Sequence, residues 1–194
     1  MNTNDCFTKL NLDFSNTNLN EIPLNFGYNF EDIYSGNKNF KVFYTEDEIQ
    51  EYVKSKLPES FRPLIRRVRI LIMESGQVPP HQDFELNAVI NFYSMNGNAR
   101  TTFWSSKAGS TSSPHPHHPN DPRANVFLPD NLIEKCSTVF DQNSCYLLNV
   151  NQIHSVDIGK DCIRKVIQLT FNPDVTYNMV LDKLTELNLI DEIK

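Results

Sequence analysis

Hydrophobic positions follow one rule before residue 65 and another after it. Ile49, Val53 and Leu57 recur at helical spacing, and Pro58 stops the run. They follow Thr45-Glu46-Asp47-Glu48, whose Thr-x-x-Glu pattern reads as a capping box. From residue 65 the period becomes two. Residues 65–73, 88–93, 101–104, 125–128, 144–149 and 163–171 are short, rich in β-branched and aromatic side chains, and read as strands. The last segment is the most informative. Ile163, Ile167, Leu169 and Phe171 make an apolar face interrupted by Lys165, whereas Arg164, Val166, Gln168 and Thr170 make a more polar one. An apolar outer face needs a cover, and a polar inner face suits a ligand cavity. Pro173, at a first helical position, opens a final helix with Val180, Leu184 and Leu187 on one stripe, so two helices supply the cover. Residues 1–40, rich in Asn and aromatics without a period, read as an irregular arm with short strands laid over the core.

Many short antiparallel strands with flanking helices specify a mainly β fold, a double-stranded β-helix of the jelly-roll, cupin-like kind. The 194 residues form one domain, with 1–60 as N-terminal arm and helix, 65–172 as the jelly-roll core and 173–194 as the C-terminal helix. Thirteen Phe and seven Tyr supply bulky material for that core. Residues 107–122 carry His115, His117 and His118 among four Pro and a Gly/Ser run, which forbids regular structure. This segment reads as a flap beside the cavity mouth and not as a second metal site. The net charge of −6 argues against a nucleic-acid partner. No apolar run reaches the ~18–20 residues that span a bilayer, and the first residues lack a leader pattern. Four Cys without C-x-x-C spacing read as reduced thiols, so the expected location is cytoplasmic.

The candidate chemistry is concentrated in four residues. Of the five His, three lie in the Pro-rich loop, leaving His81 and His154. In His81-Gln82-Asp83 a strand puts residues i and i+2 on one face, so an imidazole and a carboxylate converge. A second His arriving from elsewhere completes a set that binds one face of an octahedral Fe(II) and leaves positions open. Arg164 follows His154 by ten residues, and Asp157, Gly159 and Asp161 between them read as a turn. A hairpin folded about Gly159 sets residue 154 opposite residue 164, with Cβ atoms roughly 5 Å apart. The guanidinium then enters the same cavity and presents a planar fork to a carboxylate. The plainer reading of Arg164 is an exposed strand cation paired with Asp161. Asn91 and Tyr93 share one strand face, and Thr102 and Trp104 share another; each pair lines the cavity or packs the core. Arg67 and Arg69 also share a face, as anchors for an acidic substrate or as solvated cations.

Together His81-x-Asp83, His154 and Arg164 resemble the signature of the Fe(II)- and 2-oxoglutarate-dependent dioxygenases. Residues 68–73 and 77–81 resemble the strand leading into the first metal ligand of that superfamily, and 145–149 and 164–171 its last core strands. The resemblance covers about residues 65–173 and is nearest to the aspartyl/asparaginyl β-hydroxylase-like and prolyl-hydroxylase-like branches. It implies Fe(II), 2-oxoglutarate and O₂ as cofactors. His81, Asp83 and His154 would hold the metal, and Arg164 the distal carboxylate of 2-oxoglutarate. Asn91 and Tyr93 are candidate cofactor contacts, and Arg69 and Trp104 candidate substrate contacts. The implied reaction is hydroxylation of a substrate C–H with release of succinate and CO₂. Branch resemblance points to a protein or peptide side chain as substrate, with a small metabolite next. Two features depart from the pattern: Val166 stands where some members carry Ser, and Asp83 is present although the aspartyl/asparaginyl branch often lacks that carboxylate. Two further readings compete, a cupin-like metalloenzyme that does not use 2-oxoglutarate and a non-catalytic binding module on the same fold.

Overall fold

Two long strands organise the molecule. In a computed structural model, residues 5–12, 14, 25–29, 40–83, 85–108, 111–114 and 125–191 are described. Strands β1 (Phe7–Leu10), β2 (Asn25–Asn29), β3 (Phe40–Tyr44) and β4 (Ile65–His81) are followed by β5 (Val89–Met95), β6 (Arg100–Ser106) and β7 (Ser112–Pro114). Then come β8 (Asn125–Phe127), β9 (Leu132–Val139), β10 (Ser144–Leu148) and β11 (Ile153–Phe171). Helix α1 (Asp47–Ser55) precedes β4, and α2 (Tyr177–Glu186) follows β11.

β4 and β11 pair antiparallel almost from end to end and so belong to both layers of a jelly roll. Their near halves, residues 65–74 and 163–171, sit in a layer ordered β1-β10-β5-β11-β4-β3-β2. Their far halves, residues 76–81 and 153–158, are flanked by β6 and β9 on one side and by β8 and β7 on the other. The pair turns a corner between the halves. Ile158 lies opposite Gly76 and Ile163 opposite Glu74, so residues 159–162 face Ser75 alone. Ser75, Gly76 and Asp161 there have φ of 61°, 96° and 62°. Extra residues in one strand bend it and increase its twist, which carries both strands into the second layer.

This corrects the hairpin expected about Gly159. β4 offers a pairing edge on both sides of the insertion, so the surplus residues bulge instead of reversing the chain. His154 lies opposite His81 and Arg164 opposite Met73, not opposite each other. The positive φ falls on Asp161 rather than Gly159.

Alternation along residues 163–171 places its faces as the pattern predicted from Val166 onward, whereas Ile163, beside the corner, is 38% exposed instead of joining the apolar face. Ile167, Leu169 and Phe171 are buried in a cluster with Val68, Ile90 and Leu147 of neighbouring strands. Val53 and Leu57 near α1 and Val180 and Leu184 of α2 close that cluster from outside. Both helices start differently from expectation. Thr45 Oγ1 donates to the Val68 carbonyl at 2.9 Å, tying the helix entry to β4, and Glu46 is the N-cap residue without a side-chain cap. Pro173 precedes α2 in a turn, and Thr176 caps the helix by accepting from the Met179 amide at 3.3 Å. The N-terminal strands extend the sheet at its edges, β1 on β10 and β3 on β4, instead of lying over the core. Two strands escaped the pattern, β9 and β7, the latter inside the segment expected to lack regular structure. His115, His117 and His118 lie outside the described residues. No described helix is long and apolar enough to cross a membrane.

Candidate metal centre and cavity

The far half of the long pair brings His81, Asp83 and His154 together. His81 is the last residue of β4 and directly opposes His154, with ring centroids 4.4 Å apart. Asp83 lies two residues further on, beyond the end of β4, where its amide donates to the Val150 carbonyl at 3.2 Å. Its Oδ1 is 3.3 Å from His81 Nε2 and 3.7 Å from His154 Nε2. All three potential ligand atoms fall within 4.8 Å of one another. Ligands at right angles around a metal, each about 2.1–2.2 Å from it, lie roughly 3 Å apart.

The hydrogen bonds behind the rings fix what these atoms offer. His81 Nδ1 is 2.8 Å from the Pro79 carbonyl and His154 Nδ1 is 3.0 Å from the Gln152 carbonyl. A carbonyl only accepts, so each Nδ1 carries the proton, and in a neutral ring each Nε2 presents a lone pair. Two lone pairs and a carboxylate oxygen therefore point at one spot. Three acceptors at this separation repel unless a cation lies among them. Burial pushes His154 down to about 4, with the neighbouring His81 adding to the shift. Burial pushes the Asp83 carboxyl up, but the His81 contact and the charges of His154, His81 and Arg69 outweigh it and hold the group well below the ordinary carboxylate range. This donor set fits a divalent first-row metal with a preference for nitrogen and oxygen ligands.

A cavity of about 330 Å³ opens beside this centre, between the layers. Its floor is the inner face of the near half, in three rows across the strands. One row runs Tyr44–Arg69–Gln168–Asn91, the next Val42–Leu71–Val166, and the third Phe40–Met73–Arg164. Val78, Thr101 and Val156 belong to the facing wall. Arg164 is 5% exposed, which excludes a solvated strand cation. Its Nη1 donates to Thr101 Oγ1 at 3.2 Å and its Nη2 to the Tyr93 hydroxyl at 3.1 Å, with the guanidinium carbon 4.9 Å from the Tyr93 ring centroid. Among the described residues it has no ion-pair partner, Asp161 included.

The remaining candidates separate clearly. Asn91 lines the cavity. Tyr93 is fully buried and is not among the lining residues; it stands behind Arg164 and orients it. Arg69 lines the cavity, whereas Arg67 lies outside it with its guanidinium 4.8 Å from the Tyr44 ring centroid. Trp104 is on the wrong face for the substrate role expected of it. His154 opposes Phe103, so Phe103 and Thr101 face inward, and Trp104 points outward with Nε1 donating to Ser155 Oγ at 2.9 Å. Alternation identifies which residues share a face without saying which face is inside. Sequence reasoning missed Tyr44, Val42 and Phe40, whose strand lies next to a stretch with no legible period, and Thr101, the partner of Arg164.

No family model matches this chain, and no curated protein matches it in sequence. Among solved structures it is similar to an oxidoreductase of the 2OG-Fe(II) oxygenase family from Burkholderia pseudomallei, at 15% identity and a TM-score of 0.33, over 59% of this chain and 46% of that one. It is also similar to ycfD of E. coli, at 14% identity and a TM-score of 0.44, over 77% of this chain and 38% of that one. A third is SnoN, a non-heme alpha-ketoglutarate-dependent epimerase from nogalamycin biosynthesis, at 12% identity and a TM-score of 0.44, over 75% of this chain and 65% of that one. In each case the alignment spans less than two thirds of the neighbour's length.

Proposed function

We propose that the protein is a non-haem Fe(II) oxygenase that uses 2-oxoglutarate and O₂ to hydroxylate a substrate C–H bond. The observation that carries this reading is the convergence of two imidazoles and a carboxylate on one spot, beside a buried guanidinium that has no acidic partner among the described residues. The first arrangement calls for a cation and the second for an anion, in one cavity. A dicarboxylate keto acid supplies the anion and chelates the metal.

His81, Asp83 and His154 would hold the iron, which when bound supplies the oxidising chemistry toward O₂. The chain's own work is ligation, orientation and exclusion of water. The Pro79 and Gln152 carbonyls keep each imidazole in the ligating tautomer. Thr101 and Tyr93 hold Arg164 still, so its free N–H groups meet a carboxylate without first losing rotamer freedom. Leu71, Val78, Val156 and Val166 keep the space between the two charged ends apolar. The substrate in this reading is a side chain of a protein or peptide, entering beside Tyr44 and Arg69.

Anaerobic titration of the protein with Fe(II) and then 2-oxoglutarate tests the cofactor assignment. A weak visible charge-transfer band that saturates at one equivalent of each is the expected result. No band, and no 2-oxoglutarate binding, would remove it. Succinate formation above the uncoupled background, compared between peptide libraries and free metabolites, tests the substrate assignment. Turnover stimulated only by a small metabolite would replace the peptide.

A further inference from the structure

The cavity holds one cation more than the proposed cofactors account for. Among its described lining residues the formally charged side chains are Arg69, Arg164 and Asp83. Two guanidiniums against one carboxylate leave a net charge of plus one. A divalent metal raises it to plus three, and a dicarboxylate keto acid returns it to plus one. Arg164 is buried and Arg69 half-buried, and neither guanidinium has an ion-pair partner among the described residues.

The two arginines are separate handles. Arg164 lies opposite Met73, four residues along β4 from Arg69, and four residues of strand rise set their rows roughly 13 Å apart. The apolar row of Leu71 and Val166 lies between them. Both arginines line the cavity that His81, Asp83 and His154 also line. Arg69 is held in place: Nε donates to Gln168 Oε1 at 2.5 Å, Gln168 Nε2 to Asn91 Oδ1 at 3.0 Å, and Asn91 Nδ2 to the Tyr93 hydroxyl at 3.2 Å. That chain ends on the hydroxyl that also orients Arg164. Arg69 and Tyr44 are also the wall shared with a second depression of about 160 Å³, whose lining includes Arg66 and Arg67. Glu85 lines it too and pairs with Arg66 at 3.2 Å, so Arg67 is the unneutralised cation that an anion from that side passes before it meets Arg69.

We propose that Arg69 is the substrate anchor and that the substrate carries a single carboxylate, docked on Arg69 so that a carbon near it faces the metal. This rests on the reading of Arg164 as the 2-oxoglutarate site. With Nε bonded to Gln168 and Tyr44 also hydrogen-bonded to the guanidinium, the remaining N–H groups of Arg69 suit one carboxylate, and one residual charge suits a monoanion. The carboxylate comes from a free acid or from an acidic side chain of a peptide.

Binding to Mn(II)-loaded protein, with and without saturating 2-oxoglutarate, separates the possibilities through the paramagnetic broadening of probe NMR signals. The probes are unbranched monocarboxylates from butanoate to octanoate, their primary amides, and a terminally blocked pentapeptide with a central Asp beside its Asn counterpart. The expected result is that one carboxylate class, acids or Asp peptide, binds at least about ten-fold tighter than its amide with 2-oxoglutarate present; which one does so identifies the source. Arg69→Gln should weaken that binding about ten- to hundred-fold and leave 2-oxoglutarate affinity within about three-fold. Arg69→Lys, which keeps the charge in a gentler change, should fall between. Carboxylates that bind no better than amides would overturn the proposal without reference to any variant. So would an Arg69→Gln protein that loses 2-oxoglutarate affinity as strongly as probe affinity. Failure of 2-oxoglutarate to bind the wild type shows separately, as loss of the cofactor reading. The Arg69 anchor is then judged on the probes alone: discrimination of carboxylate from amide that Arg69→Gln removes upholds it, and discrimination unaffected by that variant rejects it.

Discussion

The two halves of the β4–β11 pair are made of the same two strands and do different work. The near half is thick: its outer face carries Val68, Ile167, Leu169 and Phe171 under two helices, and its inner face carries the arginines and amides. The far half is thin: it holds the three metal-ligating candidates, and β9, at the edge of its layer, leaves Ile133 51% and Val139 40% exposed. Core packing and the metal-ligand candidates therefore lie at opposite ends of one ladder, and the cavity-lining arginines share the near half with the core. The corner at Ser75 and Asp161 divides them and lets the ligands face the floor.

The sharpest way to break this division is a deletion in the near half. Phe171→Ala removes a ring 1% exposed that packs edge-on to Phe61 at 5.9 Å. It should cost about 3–5 kcal/mol of unfolding free energy, read by denaturant titration, while the fraction that remains folded keeps its metal affinity. Metal loss in step with stability loss would mean that the halves are one unit. In the far half, Asp83→Ala should lower Fe(II) or Mn(II) affinity by at least about 100-fold, measured by calorimetry. Denaturant midpoints of the metal-free protein should change less than for Phe171→Ala, because Asp83 is only partly buried and its loss removes no core packing.

Smaller effects sharpen the picture inside the cavity. Arg164→Ala should weaken 2-oxoglutarate binding by about 1.5–3 kcal/mol and spare the metal, and Arg164→Lys should be intermediate because it keeps charge without the fork. An unchanged 2-oxoglutarate affinity would remove Arg164 from the cofactor site. Trp104→Phe gives the smallest effect. It loses the hydrogen bond to Ser155, costs about 1 kcal/mol of stability, and leaves metal and keto-acid binding unchanged, as its outward face requires.

Legibility followed the same division. Residues 163–171 bury one face against a core and one against a cavity, so both faces left a mark in the sequence. His81-x-Asp83 was legible because a carboxylate two residues from an imidazole is a local pattern. The hairpin about Gly159 misled because Asp and Gly signal a change of direction without saying whether the partner strand continues past it. β4 does continue, from residue 65 to residue 81, and that is a non-local fact. β9 left no pattern because only Leu132 is fully buried along it. The inner placement of Thr101 and the outer placement of Trp104 depend on which side of β6 meets β11, which alternation alone does not fix.

The length of the β4–β11 ladder also governs how the molecule is made. Its partners are about ninety residues apart in the chain, so nearly everything between them must be synthesised before either half can pair. Such non-local pairing gives high contact order and slow folding. While β4 waits, its Ile70, Leu71 and Ile72 edge is open on the β11 side, and β3 can close only the other. His81 and Asp83 emerge from the ribosome early and His154 late, so a nascent chain lacks the complete His81, Asp83 and His154 cluster. Binding of a divalent cation at that cluster then becomes a late event that rewards only chains already zipped, and a divalent metal supplied after folding should load as completely as one present throughout.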